Sequence, residues 1–455
     1  MIFHSGTFLV FFLVFLSGFH FLKPRQRILY TTFASFIFYS WWYPPYLLLL
    51  IGFAIFAYYA AHLVSDCSRV IYAITLGLCL SPLCFFKYTH FFLNNLFILL
   101  QKGETSIGSW KLPLGISFIT FTVMAYLIDV RRRLYYPEKS FLRVALYLSF
   151  FPHLIAGPIM RPKELFPQLE HLFIKQKLVR LGIFLFSIGL IKKIFFADTL
   201  APLVEAAYQG NLSRNFLESA LAFYAFAVQI YCDFSGYVDM AFGLAFILGV
   251  RLPLNFNRPY LADSPSDFWK RWHITLSRWL KDYLYISLGG SKRGAARTFL
   301  ALMVTMLIGG LWHGAAWTFV LWGGYHGVLL AFQHFFKAKN INFEKIPLFF
   351  KRFLMFHLVG LGWVLFRSKN LGQAYQLMSG FWASQGWKET LHVSMFAWAL
   401  IVIFFMMHAF DRVSFICWFV HRQRPAIIYA ACAVIILASM VFSTGNPNAF
   451  IYFEF

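Results

Sequence analysis

Charged side chains are scarce in this sequence, and acidic side chains are the scarcest. Only 13% of the 455 residues are Asp, Glu, Lys or Arg, and the acidic residues number 18, whereas 60% of the chain is hydrophobic and 21% is aromatic. A water-soluble domain needs a larger polar fraction to cover its surface. The composition therefore excludes an ordinary soluble protein and indicates a chain that is embedded in lipid.

Cysteine pairs, linkers and repeats are also missing. The six cysteines lie mostly in apolar stretches, with no Cys-x-x-Cys pair and no histidine at the spacing of a zinc ligand. We therefore expect neither a metal site nor a bound cofactor. No Pro-rich or Ser-rich linker and no clear repeat divides the chain, so we expect residues 1–455 to form a single integral membrane domain.

Apolar runs recur along the whole sequence. A helix needs about 20 residues to cross roughly 30 Å of hydrocarbon. We expect about 11 to 13 such helices in an all-α polytopic membrane protein. The first, Thr7 to Leu22, lacks the basic flank and the cleavage site of a signal peptide, so we expect it to be retained. The other candidate spans are 28–43, 46–64, 70–86, 114–130, 141–160, 180–196, 216–232, 234–250, 298–312, 315–336, 349–366, 394–411 and 425–443.

The net charge of +22 comes from 40 basic against 18 acidic residues. In a soluble protein this excess would suggest nucleic acid as a partner. Here the basic residues occupy short connections such as 23–27 and 131–133, which is the bias of cytoplasmic loops, and they attract anionic lipid. The aromatic residues fill membrane spans and do not form a platform for single strands. We therefore expect the lipid bilayer, and no nucleic acid, as a partner.

The longest polar interruption, 251–297, contains nine basic residues and three aspartates, so we expect it to be cytoplasmic. Ser264-Pro-Ser-Asp267 predicts the start of a helix, because it combines a serine cap, a proline in the first turn and an acid three residues after the cap. An amphipathic pattern follows, typical of a helix in the membrane interface. Its apolar face contains Phe268, Trp272, Leu276, Trp279, Leu280 and Tyr283, and its basic face contains Lys270, Arg271, Arg278 and Lys281.

His273 lies at the margin of this apolar face and leaves two interpretations open. In the first, the helix is an anchor whose basic residues contact lipid phosphates, and His273 is simply packed. In the second, the helix forms the cytoplasmic mouth of a tunnel. Lys270 and Arg271 would then hold the phosphates of an acyl-CoA, and His273 would face the reacting end of that donor.

His313 lies between two apolar runs, far from a charged flank. In a helix that starts near Arg297 it would lie roughly 24 Å from the basic boundary, at about 1.5 Å per residue. Burial without a partner favours the neutral imidazole, which is the form that accepts a proton. Gly310 and Gly314 would admit a neighbouring helix or a thin acyl chain, and Trp312 is a candidate lining residue. His313 is therefore our first candidate for a general base, separated in depth from His273.

Two further polar residues lie in apolar segments. Asp233 would line the tunnel or serve as a hydrogen-bond anchor in the helix bundle. His326, 13 residues beyond His313, would face the same cavity or simply be packed.

Pro152, Gly157 and Pro158 interrupt another apolar segment and predict a broken or re-entrant helix. His153 and Arg161 would then border the cytoplasmic entrance. The alternative is a kinked helix whose arginine faces lipid.

The motifs around both histidines resemble those of the membrane-bound O-acyltransferase family, in its alginate O-acetylase branch. The resemblance rests on Phe268-Trp-Lys-Arg-Trp-His-Ile-Thr-Leu-Ser-Arg-Trp-Leu-Lys-Asp-Tyr-Leu-Tyr-Ile286 and on Gly310-Leu-Trp-His-Gly-Ala-Ala-Trp-Thr-Phe-Val-Leu-Trp-Gly-Gly-Tyr-His-Gly327. It extends over most of the chain through 85–88, 112–118, 151–158, 196–199, 231–240 and 451–455.

This resemblance implies a helical bundle with a central tunnel and cytoplasmic interfacial helices. It also implies that His313 matches the catalytic histidine of the family and His273 its second functional position. The donor would be acetyl-CoA or a similar thioester in the cytoplasm, and the acceptor would be an exported polysaccharide such as alginate. A periplasmic SGNH-hydrolase-like protein and the machinery that makes and exports the polysaccharide are the implied partners, and the bacterial inner membrane is the implied location.

Two other functions stay open at this stage. D-alanyl transfer to teichoic acid is the nearest enzymatic alternative, and it would need a thioester carrier protein. A transporter is a further alternative, but the inverted repeats typical of transporters are not evident in the sequence.

Overall fold

The computed structural model describes residues 1–102, 110–170, 172–210, 215–341, 343–382 and 391–442. Across these ranges the regular secondary structure is helical, which confirms the predicted all-α class. The motif 451–455 lies outside them. The helices are α1 (Gly6–Phe21), α2 (Pro24–Ser40), α3 (Tyr46–Val64), α4 (Arg69–Leu83), α5 (Thr89–Leu99), α6 (Ile116–Arg131), α7 (Phe141–Ser149), α8 (Pro162–Leu169), α9 (Gln176–Leu190), α10 (Thr199–Tyr208), α11 (Phe216–Ile247), α12 (Pro265–Trp269), α13 (Ile274–Trp279), α14 (Ala295–His313), α15 (Trp317–Ala338), α16 (Leu348–Arg367), α17 (Leu371–Ser379), α18 (Leu391–His408), α19 (Val413–Arg422) and α20 (Pro425–Phe442).

Fewer helices than expected are long and apolar enough to cross a bilayer by themselves. Within the described ranges there are six, or seven if the bent pair Met395–His408 and Val413–Arg422 counts as one span. Several predicted spans correspond to helices of only 16 residues, such as α1 and α6, which are shorter than the hydrocarbon core. The six are Tyr46–Val64, Arg69–Leu99, Phe216–Ile247, Ala295–His313, Leu348–Arg367 and Pro425–Phe442. Arg69–Leu99 consists of α4 and α5 joined by the π-helical segment Cys84–Tyr88.

The described residues group into two compact units. The first contains Met1–Ile188, Tyr237–Pro253 and the residues from Arg424 to Phe442. The second contains Gly189–Gly236 and Leu254–Gln423. The expectation of a single domain stays a prediction.

In the first unit, the apolar segment 141–160 is broken as predicted. Helix α7 ends at Ser149, and the chain continues without regular structure to Arg161, where α8 begins. Residues 150–160 are buried, so their backbone polar groups need partners inside the protein. The Phe151 N–H donates to Ser35 Oγ at 3.2 Å, and the Tyr147 hydroxyl donates to the Met160 carbonyl at 2.8 Å.

In the second unit, α14 and α15 form a close hairpin through glycine. A Cβ atom on Gly310 would lie 2.2 Å from the Phe319 carbonyl oxygen, and one on Gly323 would lie 2.2 Å from the Met306 carbonyl oxygen. Both distances are far below van der Waals contact, so only glycine permits this approach. The space beside Gly310 is therefore occupied by the neighbouring helix.

The predicted amphipathic helix of the 251–297 loop begins where expected but is not continuous. Helix α12 starts at Pro265 after Ser264, and the chain then turns at Lys270–His273 before α13 begins. The turn forms because backbone groups pair with a segment 14 to 19 residues earlier: the Asn257 N–H donates to the Arg271 carbonyl and the Ile274 N–H donates to the Asn255 carbonyl, both at 2.9 Å.

The apolar face of this segment is covered by protein and does not face lipid. Phe268 and Trp272 are fully buried, and Leu280 packs 3.1 Å from the position of a Cβ atom on Gly309, near the carboxyl end of α14. The expectation that this face lies in the membrane interface is therefore wrong, because packing against protein buries these rings better than the interface would.

We predict that Gly323→Ala destabilises the protein by about 1–3 kcal/mol, because the added methyl group would force α14 and α15 apart. The matched control is Gly324→Ala, whose Cβ atom would meet Leu307 Cδ2 at an ordinary 3.4 Å. Thermal melting of both variants in detergent tests this. Equal melting temperatures would contradict the close-packed hairpin.

Candidate functional site

His313 is the last residue of α14 and lies inside an aromatic cluster. The helix ends there because Gly314 adopts an extended conformation. Only 3% of His313 is exposed. Its ring centroid lies 5.0 Å from that of Trp322, at an interplanar angle of 87°, and 5.2 Å from that of Phe366. The predicted burial of His313 is thus confirmed, and aromatic rings of α15 and α16 pack against it.

Trp312 contacts both candidate histidines. Its ring centroid lies 5.0 Å from that of His313 and 5.9 Å from that of His273. The two imidazole centroids therefore lie no farther apart than the sum of these distances. His273 and His313 therefore flank the same indole, and the expectation that they act at two depths of the membrane stays a prediction. The loop that carries His273 reaches the carboxyl end of α14 because its apolar side chains pack there.

His273 occupies a sharp turn that Asn255 holds in place. Its backbone has φ of +43° and ψ of +54°, in the left-handed region that side chains other than glycine rarely adopt. The Asn255 side-chain oxygen accepts hydrogen bonds from the Thr275 N–H at 3.1 Å and from the Thr275 hydroxyl at 2.9 Å. These bonds hold the start of α13 and so keep His273 in its strained conformation.

The same asparagine oxygen selects the tautomer of His273. The Nδ1 atom of His273 lies 3.2 Å from Asn255 Oδ1. An amide oxygen only accepts, so Nδ1 must carry the proton, and the Nε2 atom of the neutral ring is then a proton acceptor. Complete burial lowers the pKa of His273 to about 3, so the ring is neutral at physiological pH.

His326 lies one tryptophan away from His313. It is fully buried on α15, and its ring centroid lies 5.0 Å from that of Trp322, the indole that also contacts His313. The Trp269 centroid lies at 5.2 Å. Among the described residues neither ring nitrogen of His326 has a hydrogen-bond partner. Both histidines thus contact Trp322, and the choice between a shared cavity and simple packing for His326 stays a prediction.

The two basic candidates beside His273 differ in their surroundings. Lys270 is exposed. Arg271 is partly buried, and its Nε atom forms an ion pair with Asp267 Oδ2 at 2.8 Å. Its Nη1 also donates to the Asn257 carbonyl at 3.4 Å. Arg271 therefore helps to hold the turn, and the predicted binding of phosphate by these two residues stays a prediction.

Asp233 is buried on α11 and pairs with a lysine. Its Oδ1 atom lies 2.7 Å from Lys193 Nζ, which also lies 2.9 Å from Asp198 Oδ1. The adjacent Lys192 pairs with Asp411 at 2.6 Å. Removal of one partner would leave an uncompensated buried charge. Of the two interpretations of Asp233, this geometry favours the anchor between helices.

His153 and Arg161 belong to the first unit, and the candidates described above belong to the second. His153 is buried, and its Nε2 atom lies 3.2 Å from the Tyr147 carbonyl oxygen. Arg161 precedes α8, and its backbone N–H donates to Glu164 Oε2 at 2.9 Å. Both residues therefore help to hold the irregular segment, and their position at an entrance stays a prediction.

The sequence interpretation missed Asn255, Trp322 and Lys193. Lys193 could have been found, because two adjacent lysines interrupt the apolar segment 180–196 and intramembrane charges are rarely without a role. Asn255 gave no such signal, since its partners lie 18 and 20 residues away. Among the described residues, no group of three or more His, Cys, Asp and Glu side chains could hold a metal ion.

Comparison with known proteins gives a family match across the region that holds these histidines. Residues 137–365 match the model of MBOAT, the membrane-bound O-acyltransferase family. This range includes His153, Asp233, His273, His313 and His326.

Individual relatives extend the similarity over most of the chain. It is 38% identical over 79% of its length to a peptidoglycan O-acetyltransferase of Helicobacter pylori, of which 74% is covered. It is also 38% identical over 85% of its length to a probable alginate O-acetylase of Pseudomonas aeruginosa, of which 76% is covered. A teichoic acid D-alanyltransferase of Bacillus subtilis is 27% identical over 56% of this chain and 69% of its own.

The low pKa of His273 predicts a pH effect on stability. In the unfolded state His273 binds a proton at its ordinary pKa of 6.5, whereas in the folded state its pKa is about 3. As the pH falls below 6.5, only the unfolded state gains the proton, so the free energy of unfolding decreases. His273→Asn removes this group and tolerates the left-handed turn.

The pH effect is tested by the melting temperatures of wild type and His273→Asn. Both are measured between pH 8 and pH 5, about the range in which histidine titrates. The wild-type curve should fall more steeply below 6.5, and the curves should run parallel above it. Identical slopes below 6.5 would contradict a buried neutral His273.

Proposed function

Since the chain belongs to the membrane-bound O-acyltransferase family, we propose that it moves an acetyl group from the cytoplasm toward the hydroxyl groups of an exported polysaccharide. The chain is an acyltransferase and a multi-pass membrane protein. The observation that carries the proposal is the 38% identity to two relatives, both named for O-acetylation of a polysaccharide. The D-alanyltransferase relative is less similar and covers less of the chain, so we place D-alanyl transfer second.

We propose acetyl-CoA or a similar thioester as the donor and the bacterial inner membrane as the location. The basic 251–297 loop supports a cytoplasmic donor, since the positive charge that keeps such a loop in the cytoplasm also attracts an anionic thioester. A periplasmic esterase-like protein would accept the acetyl group and pass it to the polymer, because a cytoplasmic donor and an exported polysaccharide would lie on opposite sides of the membrane.

We propose that His313 is the general base. A neutral imidazole accepts the proton of the attacking hydroxyl, whose oxygen then bonds to the thioester carbonyl carbon. The carbon–sulfur bond breaks, and the leaving sulfur takes up the proton from the imidazolium. The wall formed by Trp312, Trp322 and Phe366 supports this role, because it excludes water that would hydrolyse the donor.

We propose that His273 orients the reactants through Nε2. Polarisation of the thioester carbonyl would require an N–H group at this atom, and the bond from Nδ1 to Asn255 leaves Nε2 as an acceptor. An acceptor nitrogen can hold a hydroxyl or an amide N–H of a substrate beside His313. The contact of both histidines with Trp312 supports their action on the same group.

We predict that His313→Ala lowers acetyl transfer by about 10² to 10⁴, the usual contribution of a general base. His273→Asn should lower it less, since it removes only an orienting contact. Acetyl transfer from labelled acetyl-CoA is measured with each protein in nanodiscs, after correction for the amount inserted.

The control is His20→Ala, which removes an exposed histidine at the end of α1. It should transfer at the wild-type rate. Near wild-type transfer by inserted His313→Ala protein would remove His313 from the mechanism.

We predict that deletion of the gene abolishes O-acetylation of one cell-envelope or exported polysaccharide, and that re-expression restores it. Mass spectrometry of the extracted polymer before and after mild alkali identifies the lost groups. Unchanged acetylation in a strain that normally expresses the protein would overturn the proposal, and loss of D-alanine esters instead would favour the second candidate.

A further inference from the structure

A cavity that the acyl-transfer proposal does not use lies where α18 turns into α19. Its volume is about 400 Å³. The two helices meet at an angle of 81°, so the connection between them is sharply bent. The cavity is lined by Arg258, Ala409, Phe410, Arg412, Ser414, Phe415 and Trp418.

Arg258 is held toward this cavity by a strained backbone. Its φ is +48° and its ψ is +61°, a left-handed conformation just before the turn Pro259–Leu261. Its Nη1 donates to the Ala409 carbonyl at 3.0 Å, which fixes the guanidinium against one wall. Its Nε is buried and has no hydrogen-bond partner among the described residues. Strain of this kind in a cavity wall is typical of a binding position.

Two arginines, Arg258 and Arg412, line the cavity, and the charges of further arginines act on Arg258. Burial and then the charges of Arg412, Arg271 and Arg352 lower the pKa of Arg258, so these guanidinium groups lie close enough to repel one another. Asp411, between two lining residues, does not neutralise the cluster fully, because Lys192 and the Tyr231 hydroxyl bind its carboxylate at 2.6 and 2.5 Å. Asp267 is likewise engaged by Arg271. An anion in the cavity would relieve this repulsion.

The lining contributed by α19 suits a phosphate with a less polar group attached. Arg412 precedes the first residue of this ten-residue helix, and Ser414 lies in its first turn, where backbone N–H groups have no partner within the helix. The rings of Phe415 and Trp418 are stacked with centroids 5.7 Å apart, and both side chains are exposed. Cations and aromatic rings thus form adjoining walls.

We propose that this cavity, the Arg258–Arg412 pocket, binds a phosphate group whose attached planar or apolar portion contacts Phe415 and Trp418. The phosphate would accept hydrogen bonds from both guanidinium groups and from the Ser414 hydroxyl. It could belong to a nucleotide-bearing thioester or to the headgroup of an anionic lipid. The thioester ligand rests on the proposed donor, whereas the lipid ligand does not. Binding is measured without transfer, so a failure of this pocket is distinguishable from a failure of acetyl transfer.

The test uses the full chain in phosphatidylcholine nanodiscs and two probes. Coenzyme A is titrated calorimetrically, and retention of phosphatidylglycerol is followed by native mass spectrometry. Arg412→Gln is the main variant, because Arg412 is exposed and its loss should leave the fold intact. Arg258→Lys is the second variant. Arg424→Gln, an exposed arginine outside the pocket, is the charge-matched control.

Wild type should bind at least one probe, Arg412→Gln should bind it at least ~10-fold more weakly, and the control should match wild type. If Arg412→Gln loses coenzyme A binding, the ligand of the pocket is a nucleotide. If Arg412→Gln loses phosphatidylglycerol retention, the ligand is a lipid. Absence of binding of both probes to wild type, or equal weakening in the Arg424→Gln control, would overturn the proposal.

Discussion

The contact of Trp312 with both His273 and His313 is the constraint on which the site depends. The indole lies at the end of α14, and its neighbour His313 is the last residue of that helix. The first condition for the site is therefore the position of α14, which places His313. The second condition is the contact of the 251–297 loop with the indole, which places His273. The glycine contacts between α14 and α15 supply the first condition, and the turn held by Asn255 supplies the second.

The sequence predicted the features that depend on local pattern. Ser264 and Pro265 predict a helix start, and α12 begins there with proline in its first turn, although the Ser264 hydroxyl donates to Asp263 Oδ1 and does not cap the helix. Pro152, Gly157 and Pro158 predict the break after α7, because these residues disfavour a continuing helix. The burial of His313 followed from the apolar runs on both sides. Each of these features is decided by neighbours along the chain.

The features that were missed depend on distant pairing. The amphipathic pattern from Phe268 to Tyr283 fits one helix, but the backbone of Asn255 and Asn257 competes for its hydrogen bonds and opens a turn at His273. Periodicity does not reveal such a competitor. The pairing of Lys193 with Asp233 likewise joins residues 40 positions apart. Apolar runs also do not reveal where a helix inside them ends, so fewer helices of the described ranges are long enough to cross a bilayer by themselves than the runs suggest.

The central claim is that His273 and His313 act on one reacting group at one site. Residues that act as a unit have non-additive effects, whereas independent sites multiply their losses. The most direct test is the rate of acetyl transfer by the double variant His313→Ala, His273→Asn beside the two single variants. We expect the double variant to transfer hardly more slowly than His313→Ala alone. A rate reduced by the full product of the two single losses would contradict a shared site.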